Sequence, residues 1–327
     1  MQVLRSVIAK VALAPLLMTA LIAGFASTTR AADIPATGFT PVVSNPAQAI
    51  NPTEPDPDVV QLSPDLSARM TVEVTIGGKG PYFFIVDSGA ERTILTHELA
   101  QELDLRPGKT VQIHGFDGVR IAESALVPNM QLSQVSAQRL ETPLLERQNL
   151  GASGIVGIDV LQSQRVLIDF KAETMAVTPS PRDKEDFEGE SVIVRARKML
   201  GQLVLVDASV GDVPINVIVD TGAQISVGNE ALRRLLQRSK IAVSLDRFSL
   251  RSVTGDLTDV SGTIVKGVRI GGLNINNLPV AFTEAHLFQK LGLRREPSLL
   301  LGMDALKLFD RVSIDFAKKR VRFAKVG

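Results

Sequence analysis

The chain has 327 residues, 45% of them hydrophobic, and its 36 basic and 35 acidic side chains give a formal charge of +1. That length suits two domains with separate cores, and a balanced charge without a basic stripe gives no electrostatic case for a nucleic-acid partner. The absence of cysteine excludes disulfides, thiol catalysis and cysteine metal sites together.

In chain order, Arg5 and Lys10 precede an apolar run from Val11 to Ala26, with small residues through Ala31. This layout predicts a secretory signal peptide over residues 1–32; the alternative is a retained anchor, although the run is short of the roughly 20 residues that span a bilayer. Removing the segment takes away Arg5, Lys10 and Arg30 and no acid, which leaves the remainder slightly acidic. An exported protein without disulfides must rely on packed cores, which suits a bacterial periplasm. Residues 33–66 carry seven prolines among Asn, Thr, Gln and Asp with no periodicity, the composition of a stiffened tether, propeptide or docking arm.

Order is expected from residue 67. Met70–Ile76 alternates as a half-buried strand, Gly77–Gly80 is a turn, and Pro81–Val86 is a second strand that runs into Asp87-Ser88-Gly89-Ala90. The whole unit recurs without a gap 133 positions later, where Val217-Ile-Val leads into Asp220-Thr221-Gly222-Ala223. A second hydroxyl follows three positions after each Ala, at Thr93 and Ser226. Helices are predicted next, His97–Leu105 capped by Thr96 and Glu230–Arg238 capped by Asn229. Turn-rich hairpins follow around Gly115-Phe116-Asp117-Gly118 and around Thr254-Gly255. Two stretches, 126–144 and 264–282, then each read as a pair of strands around a turn. Each half closes on apolar-apolar-Gly-x-Asp, at Gly157-Ile-Asp159 and Gly302-Met-Asp304, followed by an Ile-Asp-Phe strand. There the Gly allows close backbone approach and the Asp is expected to cap a short helix. Charged, proline-punctuated residues 179–192 read as the linker between an N-terminal lobe, 67–178, and a C-terminal lobe, 193–327. Strand-rich duplicated halves with a helix or two each predict a mainly β, two-lobed fold.

An acid at the end of an apolar strand needs compensation. A lone Asp-x-Gly is most simply a β-turn; two in a duplicated frame suggest two carboxylates that face each other. Carboxylates about 3 Å apart cannot both ionise, so such a pair holds one proton and can perform general acid–base hydrolysis of a peptide bond with neither metal nor cofactor. In this scheme Asp87 and Asp220 are the acids. Gly89 and Gly222 permit close approach, and Ser88 and Thr221 bond across to the opposite turn. The histidines, His97, His114 and His286, suggest no shared site, and no G-x-S-x-G elbow is present.

The paired D-[ST]-G-A-x-x-[ST] and later apolar-apolar-Gly-x-Asp signatures resemble those of the retropepsin-like aspartic proteases over roughly residues 68–327. The resemblance implies the acid-protease fold and Asp87 with Asp220 as catalytic dyad. It also implies flaps at Gly115, Phe116, Asp117 and Gly118 and at Thr254 and Gly255, over a cleft for a protein or peptide substrate. An exported single-chain form is similar to the periplasmic bacterial members. Viral members carry one motif per chain and pair an Arg after the second-signature Gly with an acid after the Ala. Here Ile158 and Met303 stand in the Arg positions, opposite Glu91 and Gln224, so that ion pair is absent. A monomer with an intramolecular site is the simplest expectation, because tethering removes the association cost. The alternatives are a catalytically silent peptide-binding module and a pairing of two chains.

Overall fold

The computed structural model describes residues 6–8, 42–44, 60–61, 63–64, 70–114, 119–180, 191–239, 242–251, 253, 255 and 257–324. The segments read as signal peptide, tether and linker therefore lie outside the described residues, apart from those short strands and the linker's ends. Among the described residues no helix is long and apolar enough to cross a membrane.

The protein is mainly β and two-lobed. In the N lobe, Met70–Ile76 pairs antiparallel with Lys79–Val86. The first strand alternates, burying Val72, Val74 and Ile76 while Glu73 is exposed, as one core-facing side requires. The second becomes apolar on both sides at its end, where Phe84, Ile85 and Val86 are all buried. The reason is its neighbour: Gly154–Val156 lies parallel to residues 84–86 and antiparallel to residues 94–95. The strand of the closing signature is thus threaded between the chain entering the Asp87 turn and the chain leaving it. A central strand enclosed in this way reads as an unbroken hydrophobic run. The C lobe repeats the arrangement, with Ser298–Leu301 parallel to Asn216–Val219 and antiparallel to residues 227–228.

The duplication reaches the backbone torsions. Left-handed residues recur at corresponding places: Gly78 and Gly211 (φ 78° and 56°), Ser133 and Gly271 (51° and 58°), Arg139 and Asn277 (53° and 56°), Glu173 and Lys319 (53° and 52°). The C lobe departs from expectation at Asn277, whereas Arg139 lies within the continuous strand Val135–Leu145. The C-lobe stretch 264–282 holds the end of Leu257–Val265 and then Val268–Ile270, Leu273–Asn276 and Leu278–Phe282; past Asn277 the chain leaves the sheet of the two middle strands and pairs again with Leu257–Val265. The helix after Thr96 is shorter than expected, His97–Glu102, closing where Leu103 donates to Leu99 and Asp104 turns left-handed (φ 50°). The helix after Asn229 runs from Glu230 to Ser239.

The closing hairpins of the two halves join into one sheet. Gln164–Asp169 pairs with Thr174–Pro179 on one side and with Arg311–Asp315 of the C lobe on the other, and Arg320–Ala324 and Ser191–Met199 continue it. A single buried apolar cluster, from Val72 to Phe323, runs through this seam. An ion pair crosses it, with Arg311 Nε donating to Asp169 Oδ2; the side chains are 17% and 10% exposed. Removing one partner of so enclosed a pair leaves a charge without compensation. Arg311→Met is therefore expected to lower stability by about 3 kcal/mol, read as a lower urea midpoint. An unchanged midpoint would mean that backbone pairing and the apolar cluster hold the seam without the ion pair.

Candidate active site

Each enclosed strand delivers its acid to a turn fixed from behind. Asp87 N–H donates to Val156 O and Asp220 N–H to Leu301 O, both at 3.0 Å, so the threaded strands set where the turns begin. The acids are 0% and 1% exposed. In each, Oδ1 accepts from the turn's own backbone: Gly89 N–H at 2.7 Å and Ala90 N–H at 3.1 Å for Asp87, Gly222 N–H at 3.1 Å and Ala223 N–H at 3.3 Å for Asp220. The carboxylates are held in a fixed rotation by donors that cannot move without unmaking the turn.

The two turns then bond to each other. Ser88 N–H donates to Thr221 Oγ1 at 2.9 Å, and that hydroxyl donates to Val86 O at 2.7 Å. Reciprocally, Thr221 N–H donates to Ser88 Oγ at 3.0 Å, and Ser88 Oγ–H donates to Val219 O at 3.0 Å. Both hydroxyls therefore accept from one lobe's turn and donate to its strand, in a closed two-fold network. Gly222 is needed for the approach: a Cβ there would stand 2.2–2.5 Å from the atoms of the Asp87 carboxyl group. Asp87, Ser88, Gly89, Asp220, Thr221 and Gly222 are thus brought into one buried assembly spanning both lobes.

Thr93 and Ser226 stand one layer behind. Thr93 donates its hydroxyl to Asp159 Oδ1 at 2.8 Å, donates its N–H to the same carboxylate at 2.9 Å, and accepts from Gly157 N–H at 3.2 Å. Ser226 does the same with Asp304, at 2.8 Å through the hydroxyl and 3.0 Å through N–H, and accepts from Gly302 N–H at 3.1 Å. This corrects the capping role expected of Asp159 and Asp304. The N-cap positions belong to Gly157 and Gly302, and from the first turn each acid accepts only the next N–H, of Val160 at 3.0 Å or Ala305 at 2.8 Å. Only glycine fits there, since a Cβ would meet Arg92 C at 2.4 Å or Ile225 O at 2.6 Å. The acids, one step inside the helices, clamp the outgoing chain of the turn.

Burial raises both clamp carboxyls above the usual carboxylate range, against the Thr93 or Ser226 donors that oppose it. For Asp304 the value is pushed up from 3.8 to about 6.

Several residues at the site carried no mark in the sequence. Gln202, buried in the C lobe, donates through Nε2 to Gly89 O at 2.9 Å. Glu91, without the intralobe Arg of the viral pattern, pairs instead with Lys290 of the C lobe. His286 stands beside them; burial first, then the Lys290 ammonium, holds its pKa below the ordinary value, while Glu91 pulls the other way. Val253, at the end of the C-lobe hairpin, is fully buried in a cluster with Ile85, Ala90, Ile113 and Leu150 of the N lobe. Of the expected flap residues, Gly115, Phe116, Asp117, Gly118 and Thr254 lie outside the described residues. Gly255 adopts φ +91°, and a Cβ there would come 2.9 Å from Asn149 Oδ1. His97 lies apart from His286, 3.8 and 3.9 Å from Glu123 and Glu146. Among the described residues no group of three or more His, Asp or Glu could hold a metal.

Two enclosed acids on reciprocally bonded turns, one from each of two repeated β lobes, define the aspartic-protease class of architecture. Comparison with known families agrees. The model described as "gag-polyprotein putative aspartyl protease" matches residues 72–163, and the model described as "Aspartyl protease" matches residues 206–305. No curated protein matches the chain significantly. The chain belongs to the retropepsin-like aspartyl proteases, with two family domains in tandem.

The clamp makes a prediction about pH. The folded pKa of Asp304 exceeds its unfolded value, so its stabilising contribution is fully present below about pH 4 and is lost as pH rises through about 6. Relative to Asp304→Asn, the wild type should lose about 2 kcal/mol between pH 4 and pH 7. Urea unfolding at pH 4, 5, 6 and 7 measures this, and a difference between the two proteins that stays constant with pH would contradict it.

Proposed function

We propose that the protein is an aspartic endopeptidase whose catalytic dyad is Asp87 and Asp220. The observation that carries this reading is the reciprocal network of Ser88 and Thr221, with Gly222 close against the Asp87 carboxyl group. It supports treating the acids as halves of one site. In this mechanism the pair works with one proton between its two carboxylates. The ionised member takes a proton from a water, which attacks the scissile carbonyl carbon. The protonated member donates to the carbonyl oxygen, giving a neutral tetrahedral diol. Collapse of the diol passes a proton to the amide nitrogen, breaks the C–N bond and restores the shared proton. The chain's own residues supply every proton movement. The substrate is an extended stretch of a protein or peptide lying between the lobes.

The same reading has the enzyme act as a single chain, each lobe supplying one acid. The apolar run 11–26 supports export, cleaved or anchored, with residues 33–66 as a spacer from that segment.

The test is hydrolysis of a denatured protein and of a mixed peptide library from mildly acidic to neutral pH. Wild type should cleave, and Asp87→Asn and Asp220→Asn should each lower kcat/KM by about a thousandfold or more. Cleavage that survives either substitution excludes the shared dyad. A wild type that binds peptides and cuts none would make the chain a silent binding module.

A further inference from the structure

The two-fold repetition breaks at the residue after each Ala, where one copy has Glu91 and the other Gln224. Glu91 is paired with Lys290, 199 residues away on the opposite lobe, and the two side chains are only 19% and 21% exposed.

What each partner is attached to gives the pair its meaning. Glu91 belongs to the Asp87 turn. Its carbonyl accepts from Asp159 N–H, the carbonyl of Ala90 accepts from Ile158 N–H, and Ala90 N–H holds Asp87 Oδ1. Residues 87–91 therefore move as one hydrogen-bonded unit. Lys290 ends the helix His286–Lys290, whose Leu287 and Phe288 are buried in a cluster with Ile218 and Ala223. Those two residues flank the Asp220 turn, so Lys290 rides on the body that carries the other acid. A pull between Glu91 and Lys290 is a pull between the two acid turns, applied to one side of the site. On the other side Gln224 is neutral and can make no such ion pair.

We propose that Glu91 and Lys290 are positioning residues: a cross-lobe tie that fixes the Asp87 turn against the C lobe and sets the distance and angle at which the two acids meet. This rests on the endopeptidase reading. It takes the place, within one chain, of the intralobe Arg–acid support that Ile158 and Met303 cannot supply. Removing one charge from a pair this enclosed also lowers the unfolding midpoint, so the mark of a positioning role is a fall in kcat measured under conditions where each variant stays folded. Displacing reacting groups by a fraction of an ångström to an ångström costs about 10- to 100-fold in rate.

The experiment is steady-state cleavage of one peptide substrate by wild type, Glu91→Gln, Lys290→Met, the double variant and Lys290→Arg, with urea midpoints confirming that each is folded. The expected result is a tenfold or greater fall in kcat for each single loss of charge, with KM nearly unchanged. The double variant should be no worse than either single, because the two substitutions remove the same interaction. Lys290→Arg should keep most of the wild-type kcat. The proposal is overturned if the two single variants turn over like wild type. It is equally overturned if their losses multiply in the double variant, or if Glu91→Gln alone acts and only through KM, the sign of a side chain that touches substrate. A wild type that cleaves no peptide fails at the earlier step and removes the endopeptidase reading itself.

Discussion

Everything at the site depends on two hydroxyls. Ser88 and Thr221 each satisfy a donor and an acceptor of the opposite lobe, and both are buried among groups that water cannot reach. In such surroundings a missing partner costs about 1–3 kcal/mol, while a complete network is rigid. The rigidity is what a pair of acids needs. Two carboxylates repel unless they share a proton, and only a frame that resists their separation keeps them in a shared geometry. The network is that frame, and the tandem repeat delivers both halves of it from a single chain.

Around it the structure is a series of clamps, each acting on the one before. The threaded strands Gly154–Val156 and Ser298–Leu301 fix the backbone at the acids. The half-buried carboxylates of Asp159 and Asp304 fix the chain as it leaves the turns. The seam sheet then makes one body of two lobes, through backbone pairing and the Asp169–Arg311 pair. Gln202 and Lys290 reach from the C lobe to Gly89 and Glu91 of the N-lobe turn, so a nearly symmetric fold carries an asymmetric site.

How much of this the sequence disclosed follows from how local each interaction is. The acid turns were legible because strand, acid, hydroxyl and glycine lie within seven residues and appear twice. Thr93 and Ser226 stood out by repetition, but their partners lie 66 and 78 residues away, and local logic assigned those partners to helix capping. The sequence showed a glycine followed by an acid. The close backbone approach read for the glycine is what the Arg92 and Ile225 backbones impose, but the sequence could not show that the glycine, and not the acid, takes the cap position. Left-handed Arg139 carries no sequence signal, and only at its counterpart Asn277 does the strand end. Lys290 was invisible because it is single, distant and without a repeated equivalent; the only hint was an acid, Glu91, lacking the partner its family pattern supplies.

The claim that the two acids are halves of one site is tested most directly by a crystal structure of the protein with a peptide in which a tetrahedral hydroxyl replaces the scissile carbonyl. The account predicts that hydroxyl within hydrogen-bond reach, about 2.6–3.2 Å, of both Asp87 and Asp220 in the same chain. A hydroxyl held by only one of them, by acids of two different chains, or bound elsewhere on the protein would contradict it.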